Sequence, residues 1–86
     1  MADKSFHLEI ITPDEQVYSG RVTSLVAPCA EGYLGVLKDH APLLALAVDG
    51  KITFRKDTGE TTVLNNKSTG FLEVNKNQVS LILKVM

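Results

Sequence analysis

Cysteine and tryptophan are scarce in this 86-residue sequence, and neither sign of charge is in excess. The single cysteine, Cys29, excludes an internal disulfide and a cysteine-based zinc quartet, and it favours a reducing compartment. Nine Lys and Arg against ten Asp and Glu leave a net charge of −1. This balance argues against nucleic-acid binding, because such a surface must be basic enough to displace counterions from phosphates.

Long hydrophobic runs are also missing. The longest apolar run, residues 43–48, is far shorter than the roughly 20 residues that a transmembrane helix needs. Residues 1–5 are not followed by the apolar segment of a signal peptide, so the sequence predicts no secretion signal. With 44% apolar and 22% charged residues, the chain has the composition of a folded domain. We therefore expect one compact domain over residues 1–86, in the cytosol and without a membrane span.

Turn-forming residues recur at short intervals, and this spacing indicates strands rather than helices. Between the turns, apolar and polar residues alternate with a period of two, which is typical of half-buried strands. The apolar members of this alternation are Phe6, Leu8, Ile10, Ile52, Phe54, Val79, Leu81, Leu83 and Val85. The sequence predicts an all-β fold of the sandwich or barrel class.

The pair Asp49-Gly50 is the strongest turn signal, because a tight hairpin needs positive φ angles that Asp and Gly adopt at low cost. It predicts a hairpin that joins residues 43–48 to residues 51–55. The first of these segments follows Pro42 and is too short for a typical helix. We interpret it as a strand buried on both faces.

Residues that carry chemistry show no catalytic or metal-binding pattern. Phosphate-binding glycine motifs are absent. His7, His40 and Cys29 lack the spacing of a zinc site, and nothing in the sequence places them together as a nucleophile and its base. We interpret Cys29 as a small buried apolar residue and the pair Glu9 and Glu73 as solvated side chains. The sequence predicts no catalytic residue, no bound metal and no cofactor.

Several segments, taken in order, carry a family resemblance. The most specific is a glycine motif followed at fixed spacing by His-Ala-Pro-Leu-Leu. The segments are Phe6-His7-Leu8-Glu9-Ile10-Ile11-Thr12-Pro13, Tyr18-Ser19-Gly20, Glu31-Gly32-x-Leu34-Gly35-Val36-Leu37-x-x-His40-Ala41-Pro42-Leu43-Leu44 and Gly70-Phe71-Leu72-Glu73-Val74. Together they resemble the epsilon subunit of F-type ATP synthase. The likeness runs from Phe6 to about Leu83 and corresponds to the N-terminal β-sandwich domain of that family.

The resemblance implies a flattened antiparallel β-sandwich and a mechanical, non-catalytic role. Members of this family belong to the central rotor stalk, where they couple rotation of the c-subunit ring to the gamma subunit. Proton transport drives this rotation during ATP synthesis, and the alpha and beta subunits are indirect partners. We therefore expect no enzyme activity, no cofactor, no small-molecule substrate and no nucleic acid. The expected location is the cytoplasmic face of an energy-transducing membrane, in particular a bacterial plasma membrane.

The resemblance also implies two contact sites. The expected c-ring contacts are Glu31, Gly32, Tyr33, Leu34 and Gly35. The expected gamma contacts are Thr12, His40, Leu43, Leu44 and Ala45. Tyr33 departs from the polar or acidic residue that relatives often carry. Many relatives continue into a pair of helices beyond the position of Met86, so we expect this chain to lack their inhibition of ATP hydrolysis and their ATP binding.

Two alternatives come from other classes of protein. A lipoyl or biotinyl carrier domain presents a modified lysine at a hairpin tip, and Lys51 follows Asp49-Gly50. The methionine or acid that usually flanks such a lysine is absent. An oligonucleotide-binding barrel needs stacking aromatic side chains along a basic groove, whereas the few aromatic residues here are scattered.

Overall fold

The computed structural model describes residues 3–86, which form eight β-strands and no helix, so this part of the chain contains no helix that could cross a membrane. The predicted all-β sandwich is confirmed. The strands are β1 (Phe6–Ile11), β2 (Gln16–Cys29), β3 (Gly32–Val36), β4 (Leu43–Ala47), β5 (Gly50–Lys56), β6 (Thr61–Asn66), β7 (Gly70–Asn75) and β8 (Gln78–Leu83).

The strands form two layers joined by one long strand. The first layer has the order β4-β7-β8-β1, and the second has the order β6-β5-β2-β3. Residues 16–22 of β2 pair with β1, and residues 22–26 pair with β5. The β2–β5 register shifts between Val22 and Ser24. An irregularity of this kind bends a strand, which lets β2 pass from one layer to the other.

The β1–β8 ladder departs from the expected antiparallel pattern. These two strands run parallel, with Leu8 aligned with Val79 and Ile10 aligned with Leu81. The other ladders within residues 3–86 are antiparallel. A parallel pair needs a crossover connection, and here that connection is the whole chain from β2 to β7. The alternation of apolar and polar residues does not reveal this parallel pairing, because side chains alternate with a period of two in parallel and antiparallel ladders alike.

The core lies between the layers, where inward-facing apolar residues from both layers meet. The buried residues include Phe6, Leu8, Ile10, Val22, Leu25, Val36, Ile52, Phe54, Leu72, Val74, Val79, Leu81 and Leu83. Every apolar residue predicted from alternation is therefore buried except Val85. That residue is exposed because β8 ends at Leu83.

The chain bends at Asp49 and Gly50, but the predicted hairpin is wrong. Gly50 has φ +148°, whereas Asp49 is not among the residues with positive φ, so the two-residue hairpin turn does not form. However, β4 pairs with β7 and, at Ala47, with the end of β2, whereas β5 pairs with β2 and β6. The bend therefore carries the chain from the first layer to the second. Local turn chemistry describes the backbone at two residues and leaves the choice of strand partner to tertiary packing.

The prediction that residues 43–48 form a strand buried on both faces is wrong about burial. Leu44 is 67% exposed and Leu46 is 47% exposed. Ala47 is buried, and Leu43 and Ala45 are half-buried against the core. The outer face of the first layer has no further layer over it in residues 3–86, so β4 alternates like the other strands despite its uniformly apolar composition.

Gly70, at the start of β7, lies against the backbone of β8. A Cβ added there would stand 1.9 Å from the Ile82 carbonyl oxygen. Because main chain cannot yield as a flexible side chain does, we expect Gly70→Ala to lower the free energy of unfolding by about 2–3 kcal/mol. Gly35→Ala is the matched control, since an added Cβ meets no heavy atom of the described residues within 4 Å.

The Gly35→Ala change should stay within about 0.5 kcal/mol of the parent. Urea unfolding followed by circular dichroism measures both variants. Equal stability of the two variants would contradict the close β7–β8 approach.

Candidate protein-interaction surface

Most of the residues expected to contact partners line one open cleft of about 430 Å³. One wall is the end of the β2–β3 hairpin, and the other is β4. The hairpin wall includes Glu31, Gly32, Tyr33 and Leu34, and the β4 wall includes Leu43, Leu44 and Ala45. The structure thus brings together parts of both expected contact sets. Gly35, Thr12 and His40 lie outside the lining of this cleft.

Main-chain hydrogen bonds join the two walls at the base of the cleft. The Ala30 N–H donates to the Leu46 carbonyl oxygen at 3.0 Å, and the Val48 N–H donates to the Pro28 carbonyl oxygen at 3.0 Å. Gly32 follows the hairpin turn with φ +121°, a conformation that glycine adopts without a Cβ clash. Beyond this base the hairpin and β4 separate, and the cleft opens between them.

Tyr33 reaches across the second layer from β3 to the start of β5. Its residue partner across the β2–β3 ladder is Pro28. The Lys51 N–H donates to the Tyr33 hydroxyl oxygen at 3.3 Å, while the residue as a whole is 62% exposed. The phenol ring is therefore available for packing against a partner, although its hydroxyl already contacts the main chain.

The loop that carries His40 is held by a pair of polar side chains. The Asp39 N–H donates to Oδ1 of Asn77 at 2.7 Å, and Nδ2 of Asn77 donates to Oδ1 of Asp39 at 2.9 Å. The His7 N–H donates to the Asn77 carbonyl oxygen at 3.0 Å. These bonds place the loop beside the β7–β8 turn and the start of β1.

Thr12 lies at the opposite end of β1 from His40. The Glu15 N–H donates to Oγ1 of Thr12 at 3.2 Å, within the β1–β2 turn. Between the two ends run the six residues of β1, each adding about 3.3 Å. The expected gamma contacts therefore spread along the first layer and do not form a single pocket.

The outer face of the first layer carries an exposed apolar row that the sequence analysis missed. The ladders align Leu46 with Phe71, Phe71 with Ile82, and Ile82 with Ile11. Phe71 is 54% exposed, Leu46 is 47% exposed and Ile82 is 43% exposed. Ile11, at the edge of the row, is half-buried. We call Leu46, Phe71, Ile82 and Ile11 the outer apolar row.

A sequence signal for this row exists, namely apolar residues in the outward phase of a strand. Ile82 stands between the inward-facing Leu81 and Leu83, and Phe71 precedes the inward-facing Leu72. Alternation identifies the inward positions of a strand, and the outward apolar residues Phe71 and Ile82 do not fit that pattern. A contiguous exposed apolar patch on a small protein marks an interaction site, because water otherwise surrounds it at a cost.

The comparisons with known proteins identify the family. Residues 5–85 match the protein family described as "ATP synthase, Delta/Epsilon chain, beta-sandwich domain". The chain belongs to this family.

Among curated relatives, the ATP synthase epsilon chain of Lawsonia intracellularis is 40% identical over 80 residues, covering 93% of this chain and 59% of the relative. The epsilon chain of Chlorobium limicola is 39% identical over 82 residues, covering 94% of this chain and 91% of the relative. The chain therefore spans little more than half the length of the Lawsonia relative and nearly the whole of the Chlorobium one.

Solved structures share the fold of this epsilon-family sandwich. A chain of the Euglena gracilis mitochondrial ATP synthase, in a cryo-EM structure of its OSCP/F1/c-ring, superposes with a TM-score of 0.85 at 20% identity, covering 96% of this chain and 52% of that chain. A chain of the Tetrahymena thermophila mitochondrial ATP synthase central stalk and c-ring superposes with a TM-score of 0.74 at 14% identity, covering 91% of this chain and 62% of that chain. At these identities the likeness is one of fold.

Membership of the epsilon family removes support from the carrier-domain alternative. Lys51 does not occupy a hairpin tip, because it lies in β5 opposite Asn65 of β6. Of the two histidines, His7 contacts Ser19 through Nε2 and Oγ at 3.3 Å, and His40 contacts the Ala41 carbonyl through Nδ1 at 2.7 Å. Within residues 3–86 no three His, Cys, Asp or Glu side chains are grouped as metal ligands.

Cys29 lies at the base of the cleft and is buried in the core. Burial raises the pKa of its thiol, so the reactive thiolate is scarce at neutral pH. We expect Cys29 of the folded chain to react with a disulfide reagent at pH 8 at least about tenfold more slowly than the urea-unfolded chain. Absorbance of the released thiolate gives both rates. Equal rates would mean that the thiol is accessible and unperturbed.

Proposed function

We propose that this chain is a non-catalytic subunit of the central stalk of an F-type ATP synthase, where it joins the c-subunit ring to the gamma subunit. Family membership supports this role, and the exposed outer apolar row is the structural observation that carries it. In this role the chain transmits rotation driven by proton transport, and the alpha and beta subunits are reached through gamma. The chain itself forms and breaks no bonds.

The gamma subunit covers the outer face of the first layer in this proposal. The outer apolar row crosses that face from β4 to β1. The expected contacts Thr12 and His40 lie near the two ends of β1, at one side of the face. Leu44, on the same face and 67% exposed, contacts gamma directly. Leu43 and Ala45 pack against the core and support the strand from within. Such a surface supplies the apolar centre that a specific interface of more than about 1,000 Å² requires.

The c ring contacts the tip of the β2–β3 hairpin in this proposal. Glu31, Gly32 and Tyr33 are exposed there, followed by the half-buried Leu34 and the exposed Gly35. The Glu31 carboxylate forms no ion pair with another described residue. It is therefore free to accept hydrogen bonds from polar loops of the c subunits, with Tyr33 adding aromatic packing area beside it.

Transmission of torque needs a stiff connection between the two contacts. The β2–β3 hairpin and β4 are joined directly by the Ala30–Leu46 main-chain hydrogen bond of 3.0 Å. Force applied at the hairpin tip thus reaches β4, and through the β4–β7 ladder the outer apolar row, without crossing a long loop. Close packing of the core resists deformation in the same direction.

The location follows from these partners. The ATP synthase complex is membrane-bound, and a subunit seated on the c ring lies at the membrane surface without crossing it. We propose the cytoplasmic face of an energy-transducing membrane, in particular a bacterial plasma membrane.

Substitution of Phe71 tests the gamma contact. We expect Phe71→Asp to weaken binding to the gamma subunit of the same organism by at least about thirtyfold, because it places a charge in the apolar centre. Val63→Asp is the matched control, since Val63 is 53% exposed on the second layer. Isothermal titration calorimetry measures binding, and circular dichroism confirms the fold. Equal losses in both variants, or none, would refute the assigned face.

Charge reversal at Glu31 tests the c-ring contact. We expect Glu31→Lys to weaken association with membranes containing the c ring and gamma by about fivefold, equivalent to ~1 kcal/mol for an exposed polar contact. Asp57→Lys, in the exposed β5–β6 turn, makes the same change in net charge. Co-sedimentation measures both variants. The assignment fails if Asp57→Lys is as harmful as Glu31→Lys.

A further inference from the structure

A second row of side chains runs beside the outer apolar row and contains two carboxylates. The ladders place Leu44 opposite Glu73, Glu73 opposite Ser80, and Ser80 opposite Glu9. Alternate residues of a strand share one face, so this row lies on the same outer face, about 7 Å along the strands. We call Leu44, Glu73, Ser80 and Glu9 the acidic row.

Neither carboxylate of the acidic row is neutralised within residues 3–86. The ion pairs there join Arg21 to Asp3 at 3.3 Å and Lys56 to Glu60 at 2.9 Å. Arg21 lies opposite His7, two residues along β1 from Glu9. Its guanidinium is directed instead to the Ser5 hydroxyl and carbonyl oxygens, both at 3.0 Å, and to the Asp3 carboxylate.

A positive charge lies on the other side of the apolar row. Lys84 follows the end of β8, two residues beyond Ile82, and is exposed. Its N–H donates to the Thr69 carbonyl oxygen at 3.1 Å, which continues the β7–β8 pairing past the end of the strand. Exposed lysines thus lie beyond both rows, Lys84 past the apolar row and Lys76 in the β7–β8 turn past the acidic row, and neither forms an ion pair with Glu9 or Glu73.

We propose that the acidic row sets the orientation in which gamma docks. The surface of gamma that covers the outer apolar row carries Lys or Arg side chains opposite Glu9 and Glu73, and aliphatic side chains opposite Phe71 and Ile82. This inference rests on the proposed contact with gamma and names the chemistry that makes the contact specific.

The physical reason is the cost of removing water from a carboxylate. While the outer face is open, Glu9 and Glu73 are at least partly solvated. A partner that covers Phe71 also covers the neighbouring acidic row, and burying a carboxylate without a cation is strongly unfavourable. A partner with cations in matching places avoids this cost, whereas the same partner turned end to end does not. The apolar row by itself discriminates less, because hydrophobic contact is not directional.

The association rate with gamma tests this proposal, because complementary charges on two surfaces steer their encounter before water is expelled from between them. The variants are Glu73→Gln, which keeps the side-chain shape, and Glu73→Lys, which reverses the charge. At about 0.03 M salt we expect association to slow by about threefold and about tenfold, respectively. Screening at about 0.5 M salt should remove most of the difference.

Asp57→Asn and Asp57→Lys are the matched controls, since they change the net charge equally on the second layer. Slower association confined to the Glu73 variants, with circular dichroism unchanged, supports the proposal. Equal slowing in the Asp57 variants would show that association depends only on net charge, and this result would overturn the proposal. If the parent binds gamma and all variants associate at the same rate, the acidic row has no orienting role, although the proposed function stands. A parent chain that does not bind gamma overturns both.

Discussion

The pairing of β1 along both of its edges is the contact on which the two layers depend. On one edge β1 runs parallel to β8, and on the other it runs antiparallel to β2. Beyond Val22, β2 bends and continues into the second layer beside β5. Main-chain pairing therefore runs without a break from β4 to β6, and β4 is also paired with the end of β2, where Ala47 lies opposite Cys29. The core is enclosed by main-chain pairing as well as by apolar packing.

That continuity also explains why the interaction surface is ordered. A row of side chains across four strands stays in line only if each register is held, and here β4, β7, β8 and β1 are paired in succession. A chain of this size buries a modest core, so four large apolar side chains in outward positions are a substantial share of its apolar area left in contact with water. Covering them on assembly with gamma would add the apolar burial that the isolated chain lacks. At the cleft beside β4, a main-chain hydrogen bond between Ala30 and Leu46 connects the hairpin of the proposed c-ring contact to the strand of the proposed gamma contact.

Alternation along the chain was sufficient to place the inward face of β1, β5 and β8. Phe6, Ile52 and Leu81 were assigned to the core from this pattern and are buried, because a strand with one solvated face must separate apolar from polar residues. The same reasoning failed on β4, whose residues are apolar in both phases and so carry no periodicity. It also passed over Phe71 and Ile82. These residues look like additional core in the sequence, and their exposure follows from the absence of a third layer in the described part of the chain.

By itself, the sequence determined the fold class, the inward residues of β1, β5 and β8 and, through its motifs, the family. These properties rest on local chemistry, such as the φ preferences of glycine and the two-residue period of a strand. Tertiary structure alone decided the strand order, the parallel β1–β8 pair, the separation of β4 from β5 and the alignment of Phe71 with Ile82 and Leu46. These depend on contacts between residues far apart in the chain, where several pairings satisfy the same local pattern and packing of the whole core selects one of them.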